Sequence, residues 1–305
     1  MIGQVVFAII QTFIAFGVGA FARWRGMLRP EQLGTLTRFT LNVFMTMMVF
    51  SSVSDNLRGA GWRQVVLPPF LGFGMSALWF LAGWPLASLL KRGTPERRSA
   101  FMHLSTVNNF LFLPIIIVEN IWGGAHVAML LLMSVGFTVS QWTLGILPFG
   151  GGNCRETLKK LCNPNLAAAL LGILVAVLDC PIPKLADSTI RMLGGITVPL
   201  MLVIIGAALP DGCRRLVGDT RDLLWYSLCR LIILPLLAAG IMKQLPLDEP
   251  LCQTAMVVAL MPGSSAGVLI VRSYSGDYEF AGSAIVLSTL FSLGTVPLLL
   301  WLLGL

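Results

Sequence analysis

Apolar residues run through this chain in blocks of about the length that crosses a bilayer as a helix, roughly 20 residues, separated by short polar joints. The blocks predict ten spans, at about 4–22, 33–53, 65–90, 99–118, 125–148, 163–179, 188–208, 222–243, 251–271 and 280–302. Two of them are interrupted. Val257 to Val271 is apolar at both ends, with Met261, Pro262, Gly263, Ser264 and Ser265 at its centre. Pro262 lacks an N–H and clashes with the carbonyl one turn back, and Gly263 and Gly267 weaken the helix further. His103 to Glu119 repeats the arrangement, with Ser105, Thr106, Asn108 and Asn109 between apolar flanks and then Pro114. In hydrocarbon, freed backbone groups must find partners in protein, water or ligand, so a broken span is tolerated against a cavity. The pattern places the helix breaks at Pro114 and Pro262.

One shift relates the two interrupted segments. Moving the chain by 153 positions sets Asn109 on Pro262, Gly123 on Gly276, Thr46 on Pro199, Pro30 on Pro183 and Gly19 on Gly172. Each half then holds five spans, and an odd repeat turns the second half over relative to the first. The expected fold is an all-α membrane protein of ten transmembrane helices in two inverted five-helix repeats, 1–150 and 163–305, joined by a cytoplasmic linker at 151–162. Interrupted segments at corresponding places in two halves point to the binding site of a secondary transporter.

Composition agrees. The chain is 56% hydrophobic and 11% charged, with a mean hydropathy of +0.83, which excludes a soluble domain of this length. Six cysteines without a C-x-x-C pair and two histidines indicate neither a disulfide framework nor a metal site, and no cofactor is expected.

A net charge of +7 would suggest nucleic acid in a soluble chain, but here it follows from the loops. One face carries Arg23, Arg25, Arg29, Lys91, Arg92, Arg97, Arg98, Arg155, Lys159, Lys160, Arg214, Arg215, Arg221 and Arg272; the other carries Arg58, Arg63, Lys184, Arg191 and Lys243. The positive-inside rule makes the first face cytoplasmic. The expectation is a multi-pass protein of the cytoplasmic (inner) membrane with both termini outside, lipid as its surroundings and no nucleic-acid partner. Trp62, Trp84, Trp122 and Trp301 fall near span ends, as interfacial anchors do.

Leu36 to Ser52 (L-T-R-F-T-L-N-V-F-M-T-M-M-V-F-S-S), Asn108 to Pro114 (N-N-F-L-F-L-P), and Met261-Pro262 followed by Arg272 to Asp277 (R-S-Y-S-G-D), Ser288-Thr289-Leu290 and Pro297-Leu298 together resemble the auxin efflux carrier family. Its bacterial members include malonate transporters and its plant members export auxin. This chain has Thr46 where the family often has proline, and no glycine between Asn109 and Pro114. The resemblance implies that broken spans 4 and 9 cross at the bilayer midplane. It also implies an elevator-like movement of a bundle (spans 3, 4, 5, 8, 9 and 10) against a scaffold (spans 1, 2, 6 and 7). A homodimer through the scaffold spans is a candidate assembly.

Half-helix N-termini carry partial positive charge and free N–H groups that suit a carboxylate. Asn108, Asn109, Ser264 and Ser265, with Met261, Pro262 and Gly263 beside them, are the candidate substrate-binding residues; the alternative is that their polar groups satisfy the broken backbones. Arg230 lies about nine residues into span 8, at a depth where a charge costs about 2.5 kcal/mol or more. It pairs with an anionic substrate or snorkels to lipid phosphate, and Arg38, nearer a span end, favours snorkelling. Gln141, with Ser134, Thr138 and Ser140, faces a cavity if span 5 packs beside span 4.

All fourteen acidic residues fall in loops or at span ends. A cation antiporter would want a carboxylate in the core, so a neutral or anionic solute is favoured. His103 reads as a hydrogen-bonded or interfacial residue before a proton relay. With Ser264 or Ser265 it forms the one candidate dyad for a membrane-embedded hydrolase, a minor alternative beside a sensory module. The expected function is non-enzymatic: a secondary carrier of a small, malonate-like organic anion, or of a hydrophobic weak acid such as an auxin-like indole acid.

Overall fold

The structure, a computed structural model, describes residues 2–152, 159–213 and 220–304, with the side chains of 2, 4–6, 8, 9 and 209–213 left aside. Arg155, Arg214 and Arg215 of the basic face, and half of the linker (153–158), lie outside the described residues.

Every named element among the described residues is helical. The order is α1 (Ile2–Trp24), α2 (Pro30–Phe39), a π-helical turn (Thr40–Phe44), α3 (Met45–Asn56), α4 (Trp62–Ser88), α5 (Pro95–Thr106), α6 (Phe112–Trp122), α7 (Gly124–Trp142) and a 3-10 turn (Leu147–Phe149). It continues with α8 (Pro164–Val177), α9 (Lys184–Gly194), α10 (Thr197–Cys213), α11 (Thr220–Leu228), a second π-helical turn (Cys229–Ile233), α12 (Leu234–Met242), α13 (Glu249–Ala259), α14 (Gly267–Ser273) and α15 (Tyr278–Leu303). Six helical runs among the described residues are long and apolar enough to cross a membrane: Pro30–Asn56, Trp62–Ser88, Gly124–Phe149, Lys184–Ala208, Thr220–Met242 and Tyr278–Leu303. Apolar side chains such as Phe70, Leu81 and Leu298 are exposed on their outer faces, as a lipid-facing surface requires.

Helix α1 packs on α10, α3 on α8, α4 on α7 and α11 on α15. Glycines set the closest approaches. A Cβ on Gly206 would overlap the backbone of Phe16, one on Gly19 the backbone of Val203, and one on Gly136 the carbonyl of Pro69. With lipid outside and little hydrophobic gain between helices, backbone contact at small residues is what holds such pairs together.

The two breaks fall where polar residues interrupt the apolar runs, with one correction. The first break covers 107–111, before Pro114, which sits in the opening turn of α6. A proline is tolerated there because the first N–H groups of a helix have no partner one turn back. The second break covers 260–266 and holds Pro262 inside it. The breaks meet: Asn108 and Gly263 form an isolated antiparallel bridge, and the Asn109 backbone N–H donates to the Pro262 carbonyl at 2.9 Å.

The described ion pairs sort by end of the molecule. Arg97 binds Asp222 at 3.1 Å and Asp277 at 2.9 Å, joining the starts of α5, α11 and α15. At the other end Arg191 pairs with Asp55 and Asp187, and Arg58 with Asp179. Each pair joins residues that the span order assigns to one side.

Candidate functional site

The carbonyls at the C-terminal ends of two half-helices, α5 and α13, converge on the crossing. An α-helix leaves its last four carbonyls without intrahelical partners, and in this interior they need partners from protein, water or ligand. For α5, Val107 N–H takes His103 O at 2.9 Å, Tyr226 Oη donates to Leu104 O at 3.2 Å and Arg230 Nη1 to Ser105 O at 3.2 Å. For α13, Asn108 Nδ2 donates to Val258 O at 2.6 Å and Arg230 Nη2 to Ala259 O at 3.0 Å, while Arg230 Nε reaches Met261 O at 2.9 Å.

Arg230 is therefore neither at the lipid surface nor free for a substrate. It is fully buried, its guanidinium is spent on three carbonyls of the two broken segments, and its Cζ lies 4.3 Å from the centre of the buried Trp79 ring. The local fold aims it. Leu234 N–H bonds back to Cys229 O, five residues earlier, and this wide turn precedes Pro235, whose missing N–H a regular ladder would have to accommodate. A π-helical turn inside a helix often marks a functional position.

On another side of the crossing a cavity of about 210 Å³ opens between the first break, α3, α7, the start of α8 and the second break. Asn108, Asn109, Gln141 and Ser264 line it, with Ser134 and Thr138 of α7. Span 5 packs beside the crossing, which was the condition for Gln141 to face a cavity. Asn163 and Asn165 line it as well, and they were not singled out in the sequence. Asn163 accepts from Leu166 N–H at 3.0 Å and caps α8, so its cap signature conceals its place in the wall. Asn165 Oδ1 accepts from Thr46 Oγ1 at 3.2 Å. The remainder of the wall is apolar, including Leu41, Met45, Val49, Leu131, Val135 and Val139. None of the described residues that line it is charged.

The other expected site residues fall elsewhere. Met261 and Pro262 border a much smaller pocket with Thr12, Phe13 and Leu113. Gly263 is buried where a Cβ would come within 2.6 Å of Tyr226 Oη, and Ser265 is exposed.

Within the cavity wall the two asparagines differ. Asn109 Oδ1 accepts from the N–H of Phe112, the first residue of α6, at 3.2 Å. Asn108 Nδ2 is committed to Val258 O, which leaves its Oδ1 buried and without a partner among the described residues. A buried acceptor left unpaired costs about 1–3 kcal/mol, and with Asn108 fully buried this oxygen presents no accessible surface to the cavity.

His103 is fully buried, with Nδ1 2.7 Å from Gly145 O. The described hydrogen bonds do not join it to Ser264 or Ser265.

A model of membrane transport proteins matches residues 4–152 and 153–300. The chain belongs to this membrane transport protein family. The match agrees with the auxin efflux carrier motifs read above. Two archaeal proteins resemble this family member along nearly their whole length. An uncharacterized transporter of Methanothermobacter thermautotrophicus is 25% identical over 294 residues, 95% of each chain. An uncharacterized transporter of Methanocaldococcus jannaschii is 21% identical over 296 residues, 94% of each. The protein is thus a multi-pass membrane transporter.

Proposed function

We propose that this protein is a secondary carrier of small organic anions whose substrate sits in the cavity beside the crossing of the two broken helices. The observation that carries this reading is the polar part of the wall, with Asn108, Asn109 and Ser264 at the breaks next to the first turn of α6 and Gln141, Asn163 and Asn165 contributed by α7 and the start of α8. That turn supplies partial positive charge for a carboxylate, and neutral amides bind it at less desolvation cost than a buried ion pair.

A second reading concerns the substrate. A malonate dianion calls for more positive charge than this lining offers. The apolar wall favours a monocarboxylate with an apolar body, as an indole acid has.

We read the helices as ten spans in two inverted repeats, an arrangement suited to alternating access. Span 1 corresponds to helix α1, span 2 to α2–α3, span 4 to α5–α6, span 6 to α8, span 7 to α9–α10 and span 9 to α13–α14. The shift of 153 carries the turn at Thr40–Phe44 onto the joint between α9 and α10, and the first break onto the second. It also relates the packing of α1 on α10 to that of α8 on α3, and α4 on α7 to α11 on α15. The elevator reading makes spans 1, 2, 6 and 7 the scaffold and the rest the moving bundle, with the cavity between them. The basic face is assigned to the cytoplasm.

The test is thermal unfolding of the purified protein with malonate, benzoate and indole-3-acetate. Saturable stabilisation by the monocarboxylates above that by malonate, abolished in Asn109→Ala, supports the second reading. Stabilisation by malonate alone reverses the choice of substrate, and stabilisation by none of the three contradicts an organic-anion site.

A further inference from the structure

The C-terminal ends of two half-helices point at one place, and each brings about half a unit of negative charge. Together they amount to about one negative charge in the protein interior. In carriers built on broken helices, such carbonyl clusters are where a coupling cation binds. Here the carbonyls of Ser105, Ala259 and Met261 all accept from Arg230, and Trp79 closes the far face of the guanidinium. One fixed positive charge meets about one negative charge, and the three acceptors are already hydrogen-bonded.

We infer that Arg230 is a tethered cation occupying the place a coupling ion would take, so that the crossing assembles without sodium and the carrier does not load a metal cation there. Arg230 is thus a positioning residue that holds the two breaks in register, distinct from the residues of the cavity. The inference rests on these hydrogen bonds and not on the class of substrate.

It has a converse. Truncating the side chain leaves three inward carbonyls and an aromatic face around a void of guanidinium shape. Arg230→Ala should lose stability and regain it, saturably, with low millimolar methylguanidinium. Lysine keeps one charge and three donors, whereas methionine keeps most of the volume and neither.

The experiment is thermal unfolding of the full-length protein in detergent, in sodium, potassium and choline chloride at equal ionic strength. Wild type, Arg230→Ala, Arg230→Lys and Arg230→Met are compared, each with and without methylguanidinium. The expected result is a wild-type midpoint independent of the cation, a lowered midpoint for alanine raised by methylguanidinium, and lysine above methionine. Selective stabilisation of wild type by sodium overturns the inference. So does an alanine variant as stable as wild type, or methylguanidinium acting equally on wild type and variant. If the alanine variant does not fold, methionine equal to or better than lysine overturns it, and the wild-type comparison among cations is readable in every case.

Discussion

Asn108 Nδ2 lies 2.6 Å from the carbonyl oxygen of Val258, so a side chain in one broken helix closes the end of the other. This contact and the backbone bridge beside it make the two breaks one structural unit. Asn108→Ala is expected to destabilise the protein by about 1–3 kcal/mol, the cost of a buried carbonyl left unpaired. Asn108→Asp should cost more, because a carboxylate cannot donate to Val258 O and is repelled by it. Denaturation midpoints of the two variants check the order, and an aspartate variant as stable as wild type would contradict it.

Gly263 is fixed by Tyr226. An alanine Cβ there would stand 2.6 Å from Tyr226 Oη, and overpacking of this kind costs about 1–3 kcal/mol. Tyr226→Phe removes the clashing oxygen together with its bond to Leu104 O. The double variant should therefore be more stable than the sum of the two single losses, by a coupling of about 0.5 kcal/mol or more. Strict additivity in a double-mutant cycle would refute the contact.

Arg97 and Arg191 each hold two carboxylates, yet their loss should differ. Arg97 is 14% exposed and its partner Asp222 only 1%, whereas Arg191 is 49% exposed and its partners 28% and 32%. Arg97→Met leaves the buried Asp222 carboxylate to the backbone N–H groups of Lys91 and Arg92, and losing its charged hydrogen bonds is expected to cost about 1.5–3 kcal/mol. Arg191→Met breaks pairs that solvent screens, at up to about 1 kcal/mol. Thermal unfolding of both variants tests the ranking.

Much of this was legible along the chain, and the reasons are local. Apolar blocks separated by short joints mark the helices, and Asn108, Asn109, Pro262 and Ser264 mark the crossing because polar and helix-breaking residues are costly in hydrocarbon unless they have a use. Pro114 misplaced one break by a few residues: a proline opens a helix as readily as it ends one. Arg230 was recognised as costly, but its partners are main-chain carbonyls of segments 29 and 125 residues away, and carbonyls carry no sequence signal. Asn163 and Asn165 read as ordinary residues at a helix start, and only tertiary packing brings them into the cavity wall.

The most direct test of the central claim is uptake of labelled indole-3-acetate and labelled malonate into proteoliposomes by wild type and by Val135→Trp. Val135 is half-buried in the cavity wall, and the indole fills the space without touching Arg230 or its carbonyl partners. The account predicts saturable uptake of at least one of the two acids by wild type, and its loss in a variant of unchanged unfolding midpoint. Uptake undiminished in that variant would contradict a substrate path through the cavity.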